Sequence, residues 1–219
     1  MENNDCKKGQ VEYDNWSLNQ PVIKINQANA PTVNEKEKEL IGKLNPKKVL
    51  DIGCGDGKRL FSYLKGKNIN FLGLEKFERL TKESKFKNDI LIGDLIELDT
   101  KDFPDKFADI DLITILGGSL LGIFCVENQI KAWENIFAIL PINGKIIFDT
   151  LVIEGFENEK EIGTRTIIPG RTPPQYFLSE NQLMWIWQRL GLSIIEQADI
   201  RIPAPFALRY YSLQKTLNK

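Results

Sequence analysis

The sequence predicts an α/β fold built on a mostly parallel sheet, and three observations carry that expectation. Short β-rich runs at residues 48–52, 70–75, 89–92, 110–115 and 145–149 alternate with segments of helical length. In the clearest of those segments, 128–140, Ile130, Trp133, Ile136, Phe137 and Leu140 recur at helical spacing. The first run, Val49-Leu50-Asp51-Ile52, passes straight into a loop with glycine at every second position, Gly53, Gly55 and Gly57. Strands that alternate with helices imply parallel neighbours joined by right-handed crossovers.

Taken in order, residues 1 to about 34 are polar and irregular, with Trp16, Val22 and Ile23 as anchors. A helix is expected over 32–44, with Leu40, Ile41 and Leu44 on one side and Pro46 ending it. Residues 1–44 thus read as an N-terminal segment and helix able to act as a lid, and 45–219 as the main domain. After the five strand runs comes a long connection, 151–177, that contains Pro169-Gly170-Arg171-Thr172-Pro173-Pro174. A connection of that length inside a compact domain is usually functional, so about 151–178 reads as an insertion on the substrate side. Ser179 then opens a helix with Gln182 as its capping-box partner. Leu183, Ile186 and Leu190 form its apolar side and Gly191 stops it. Two final strands, about 192–198 and 209–214, are expected to pair antiparallel at the sheet edge.

Composition narrows the function. Hydrophobic content of 42% and charged content of 27% suit a globular protein with a real core. A net charge of -1 and a pI near 5.8 give no overall electrostatic footprint for nucleic acid. The basic run from Lys58 to Lys87 reads as exposed helix faces. No apolar run approaches a membrane span and the first residues lack a signal-peptide core, so a cytoplasmic protein without membrane partners is expected. Cys6, Cys54 and Cys125 are odd in number and lack metal-type spacing, so neither a disulfide nor a metal site is expected. The chain contains no histidine, which removes imidazole as a general base or metal ligand.

The glycine loop is the element with chemistry in it. Glycine tolerates positive φ and lets bare backbone approach a ligand. A dinucleotide fingerprint requires G-x-G-x-x-G, and the position it needs is occupied by Lys58. A nicotinamide cofactor is weakened by that mismatch, not eliminated. Asp51, just before the glycines, would repel a phosphate and suits an ammonium or hydroxyl.

The stretch Asp51-Ile52-Gly53-Cys54-Gly55-Asp56-Gly57 resembles the first motif of the class I S-adenosylmethionine-dependent methyltransferases, and later stretches match that family in order. Glu75 ends the second strand twenty residues after Gly55, where an acid accepts both ribose hydroxyls. Gly93-Asp94-Leu95 follows the third strand, and the resemblance puts this acid at the adenine amino group. Residues 111–119 resemble the fourth motif, whose backbone holds the methionine part, and 140–145 resemble the turn before the fifth strand. The similarity spans roughly 45–150. It implies a three-layer sandwich with a mostly parallel seven-stranded sheet, the last strand antiparallel, and S-adenosyl-L-methionine as cofactor. It gathers Asp51, Gly53, Cys54, Gly55, Gly57, Glu75, Lys76, Asp94, Leu95, Leu116 and Gly117 around that cofactor.

Methyl transfer to a small-molecule amine, carboxylate or hydroxyl is the expectation that follows. A sulfonium is already an activated leaving group, so such an enzyme mainly aligns and desolvates. Without histidine, a neutral amine or a carboxylate is the easier nucleophile, and a hydroxyl would need a carboxylate, Tyr or Lys as base. Substrate is expected over the C-terminal strand ends, with Trp16, Ser119, Arg171, Tyr176, Arg209 and Tyr210 as candidate contacts. A second, local resemblance joins Asp149-Thr150-Leu151-Val152-Ile153-Glu154-Gly155 and Gln175-Tyr176-Phe177-Leu178-Ser179. These are similar to enzymes that add a carboxymethyl group to wobble uridine in tRNA, which makes RNA the alternative partner. A catalytically silent cofactor-binding module is the third reading.

Overall fold

The computed structural model describes residues 11, 14–15, 33–98, 104–116, 125–153, 164–166, 175–201 and 206–216. In chain order the described elements are α1 (Glu35–Leu44), β1 (Lys48–Ile52), α2 (Lys58–Gly66), β2 (Asn70–Glu75), α3 (Glu78–Thr81), a 3-10 turn (Lys87–Asp89) and β3 (Ile90–Ile92). Next come α4 (Pro104–Phe107), β4 (Leu112–Ile115), α5 (Val126–Ile139) and β5 (Lys145–Ile153). The chain closes with β6 (Thr164–Thr166), β7 (Gln175–Phe177), α6 (Glu180–Leu190), β8 (Leu192–Arg201) and β9 (Phe206–Lys215).

The main sheet has seven strands in the order β3-β2-β1-β4-β5-β9-β8. The pairs from β3 through β5 are parallel, and β9 runs antiparallel to both of its neighbours. The single reversed strand is therefore the last one, as the sequence predicts. Chain order reverses at β1, with β2 on one side and β4 on the other. A ligand crevice forms at such a switch point, outside the C-terminal strand ends.

Strand alternation sends successive side chains to opposite faces, and both faces here are apolar. Leu50, Ile113, Ile146 and Phe148 pack with Trp133 and Ile136 of α5 and with Ile186 and Trp187 of α6. Trp133 meets Trp187 edge-on with ring centroids 5.6 Å apart, a geometry that contributes about 0.5–1.5 kcal/mol beyond area burial. On the other face Val49, Leu112 and Ile147 pack with Leu40 and Ile41 of α1 and with Leu60, Phe61 and Leu64 of α2. These two cores make the three layers.

Several boundaries differ from the sequence expectation, each for a local reason. The first helix begins at Glu35 because Asn34 caps it, its side chain accepting from the Glu37 N–H while Glu37 returns a bond to the Asn34 N–H. Strand β3 starts at Ile90, since Asp89 still closes the 3-10 turn. Strand β4 starts at Leu112, because the Asp111 carboxylate accepts the backbone N–H groups of Lys47 and Lys48 at 2.8 and 3.0 Å. Within the expected connection 151–177, β5 continues to Ile153, and β6 pairs with β7 in a separate antiparallel sheet. The last two strands are longer than expected, and β9 lies inside the sheet with β8 at its edge. Cys125 is disulfide-bonded, which corrects the expectation of no disulfide; scattered spacing says nothing about proximity in the fold. Cys54 is a free thiol. Among the described residues no helix is long and apolar enough to cross a membrane.

Candidate functional site

The glycine loop needs glycine for a geometric reason. Gly53, Gly55 and Gly57 have φ of 69°, 57° and 68°, all left-handed, which costs an L-residue with a side chain roughly 1–2 kcal/mol. At Gly57 a Cβ would also lie 2.5 Å from the Phe61 ring. The loop is pinned to the end of β2, with the Gly53 N–H donating to the Leu74 carbonyl at 2.8 Å. The Gly55 N–H donates to Glu75 Oε2 at 2.9 Å. Gly73 in β2 completes the fit, because a Cβ there would lie 2.5 Å from Cys54 Sγ and 2.9 Å from Phe61 Cζ. Sequence reading passed over Gly73, although a glycine inside a strand marks close backbone approach.

The acids expected at the site stand around this loop. Glu75 is buried, and its Oε1 accepts the Phe77 N–H at 3.0 Å. Burial raises its carboxyl above the ordinary range, against the lowering effect of its backbone N–H bonds. Asp51 is also buried at the C-terminal end of β1, where Thr114 Oγ1 donates to its Oδ1 at 2.7 Å. Desolvation pushes its carboxyl up to about 7 despite that bond. The Cys54 thiol is likewise pushed up by burial, which keeps it protonated.

At the neighbouring strand end, Asp94 Oδ2 pairs with Lys76 Nζ at 3.0 Å, and its Oδ1 accepts the Ile96 N–H at 3.1 Å. Lys76 also holds Asp14, at 2.9 and 3.0 Å, so it ties a described fragment of the N-terminal segment to this corner. Burial lowers the Lys76 ammonium, but its bonds to Asp14 and Asp94 prevail and leave it raised. Leu95, just past β3, and Leu116, just past β4, are both buried. The structure thus brings Asp51, Gly53, Cys54, Gly55, Gly57, Glu75, Lys76, Asp94, Leu95 and Leu116 to one end of the sheet, while Gly117 lies outside the described residues.

The expected substrate contacts divide. Trp16, Ser119 and Arg171 lie outside the described residues, and Tyr176 is placed only as part of β7, opposite Arg165. Arg209 is engaged by carboxylates. Its Nε and Nη2 reach Asp199 at 2.7 and 2.8 Å, and its Nη1 reaches Glu180 at 3.0 Å. That fork joins the final hairpin to the start of α6. Tyr210 points to the opposite face and is 1% exposed, its hydroxyl 2.7 Å from Asn34 Nδ2 and 3.4 Å from Glu37 Oε1. Burial raises its hydroxyl above the ordinary tyrosine range.

Three residues that sequence reading missed complete this corner. Asn34 and Glu37 enter from the first turn of α1, and Arg59 from the first turn of α2, its Nη2 hydrogen-bonded to Glu37 Oε1. Asp51, Thr114, Asp149 and Tyr210 lie beneath them on the same sheet face, since Asp51 registers with Thr114 and Asp149 with Tyr210. The N-x-x-E pattern of Asn34 and Glu37 was a readable cap; the buried partner of Glu37 was not.

No protein-family model matches the chain. A tRNA U34 carboxymethyltransferase of Campylobacter jejuni subsp. doylei is 26% identical over 166 residues, covering 73% of this chain and 54% of that protein. One of Helicobacter pylori with the same name is 27% identical over 118 residues, covering 51% of this chain and 43% of that protein. The chain spans about half the length of these curated relatives. Among solved structures it is similar to the Burkholderia thailandensis 1,6-didemethyltoxoflavin-N1-methyltransferase with bound 1,6-didemethyltoxoflavin and S-adenosylhomocysteine. That likeness has a TM-score of 0.65 at 17% identity and covers 99% of this chain and 92% of that one. With its strand order, its reversed last strand and its glycine loop at the switch point, the chain has the class I methyltransferase fold.

Proposed function

We propose that this protein binds S-adenosylmethionine and catalyses methyl transfer to a small-molecule amine, carboxylate or hydroxyl. The observation that carries the reading is Glu75: a buried carboxylate at the tip of β2, locked against the glycine loop by the Gly55 N–H at 2.9 Å. A carboxylate offers about four acceptor sites, so beyond its backbone bonds Glu75 keeps acceptor capacity for a ribose hydroxyl. Asp94 and Leu95, one strand further along the sheet, line the direction an adenine would take, and Asp51 lies below the loop, where a bound ammonium would favour its charged form. When bound, the cofactor supplies a methyl group on a positive sulfur. Any proton on the acceptor would leave to solvent or to a carboxylate, Tyr or Lys of the chain. The residues of the chain align and desolvate; none of them is a histidine.

The reading is tested by calorimetric titration of the wild-type chain with S-adenosylhomocysteine, followed by detection of S-adenosylhomocysteine formation from S-adenosylmethionine in the presence of candidate acceptors. Saturable binding with turnover supports an enzyme. Binding without turnover for any acceptor favours the silent module.

A second reading, transfer of a methyl or carboxymethyl group to tRNA, is favoured by the names of the two curated relatives and by the match at 149–155 and 175–179. Its mark is tRNA retention at low salt that falls steeply as salt rises, because counterions are released from the phosphates.

A further inference from the structure

We propose that Arg59 is a cofactor-binding residue that takes the α-carboxylate of the bound ligand, with Asp51 facing its α-ammonium. The inference rests on the reading of the site as an S-adenosylmethionine pocket and adds to it the recognition of the ligand's amino-acid end.

Asp51 and Arg59 bracket the glycine loop. One sits at the end of β1, directly before it, and the other in the first turn of α2, directly after it. They act on one another electrostatically without forming an ion pair: Asp51 is held by the Thr114 hydroxyl, and Arg59 by Glu37. Between them runs a loop in which every second residue, Gly53, Gly55 and Gly57, is left-handed and has no side chain. An α-amino-acid zwitterion laid on this loop therefore meets an acid at one end and a base at the other.

The donor inventory of Arg59 points the same way. A guanidinium has five N–H donors in a planar fork suited to a carboxylate. Glu37 takes a bond from Nη2, whereas Nε is buried and has no partner. Glu37, Asp51 and Asp149 are all buried on this side of the sheet. A ligand carboxylate entering among three acids needs a cation to receive it, and Arg59 is the cation that acts on Asp51.

The test compares S-adenosylhomocysteine with its decarboxylated counterpart, 5′-deoxy-5′-(3-aminopropylthio)adenosine, by calorimetry. The two differ by the carboxylate alone. Wild type is expected to prefer S-adenosylhomocysteine by roughly 10- to 100-fold, the range for hydrogen bonds to a charged group. The double variant Glu37→Gln/Arg59→Met, which leaves no unpaired buried charge from the Glu37–Arg59 pair, is expected to bind the decarboxylated ligand as wild type does and to lose the preference. Arg59→Lys, which keeps the charge and the Glu37 partner, should retain only part of it and serves if the double variant does not fold. A preference that survives both substitutions, or an equal loss for both ligands, overturns the proposal while leaving the cofactor reading intact. Absence of binding by wild type to either ligand overturns both.

Discussion

The backbone N–H of Gly55 donates to the Glu75 carboxylate at 2.9 Å, joining the centre of the glycine loop to the tip of the adjacent strand. This bond makes the two strongest sequence signals one structural unit. The loop cannot lift from the sheet without stripping a buried carboxylate of a donor, and the carboxylate cannot swing away without freeing the loop.

Replacing Glu75 by Ala removes the proposed ribose acceptor and leaves the Gly55 N–H unpaired. Affinity for S-adenosylhomocysteine should fall by roughly 1–3 kcal/mol, the cost of losing a buried hydrogen-bonded partner. Calorimetry checks it, and an unchanged affinity would show that Glu75 does not meet the ligand.

Gly73→Ala tests how closely the loop sits on β2. The new methyl would stand 2.5 Å from Cys54 Sγ and 2.9 Å from Phe61 Cζ, so the loop or the ring must shift. A destabilisation of roughly 1–3 kcal/mol is expected, as for overpacking in a core. A denaturant midpoint equal to that of wild type would mean that the loop lies further from the strand.

Asp51 gives a pH dependence of definite sign. Its carboxyl titrates at about 7 in the folded protein against an ordinary 3.8. The folded state thus keeps a proton that the unfolded chain releases between about pH 4 and 7. Stability from this group is full below that window and declines as pH rises through it. Glu75 is raised in the same sense. Wild-type stability minus that of Asp51→Asn, followed by urea unfolding, should fall from pH 4 to 7 and then level off. A flat or rising difference contradicts the burial assigned to Asp51.

Arg209→Met separates a structural role from a substrate contact. The fork to Asp199 and Glu180 joins the β8–β9 hairpin to α6, and its loss leaves two carboxylates without their cation. Thermal stability should drop by roughly 1–2 kcal/mol, with affinity for S-adenosylhomocysteine unchanged. Intact stability with lost turnover would instead place Arg209 at the acceptor.

What could be read from the chain was what is written locally. The glycine loop, the acids at strand ends and the Ser179–Gln182 cap are each set by residues within a few positions of one another, and all appear where the spacing put them. The extension of β5 was also legible, since Leu151-Val152-Ile153 simply continue a β-rich run. The Glu37–Arg59–Tyr210 group was not. Its members come from two helices and the last strand, and only the docking of α1 and α2 on the same sheet face makes them neighbours. The occupation of Arg209 was hidden for the same reason: Asp199 and Glu180 reach it through hairpin register and helix docking, which no local pattern encodes.

The central claim, a pocket for S-adenosylmethionine at the glycine loop, is tested most directly by the melting temperature of the wild-type chain with and without saturating S-adenosylhomocysteine. A ligand bound only by the folded state at one hundred times its Kd adds about 2.7 kcal/mol, so a clear upward shift is expected, one that NAD does not reproduce. No shift with S-adenosylhomocysteine, or a shift with NAD alone, would contradict it.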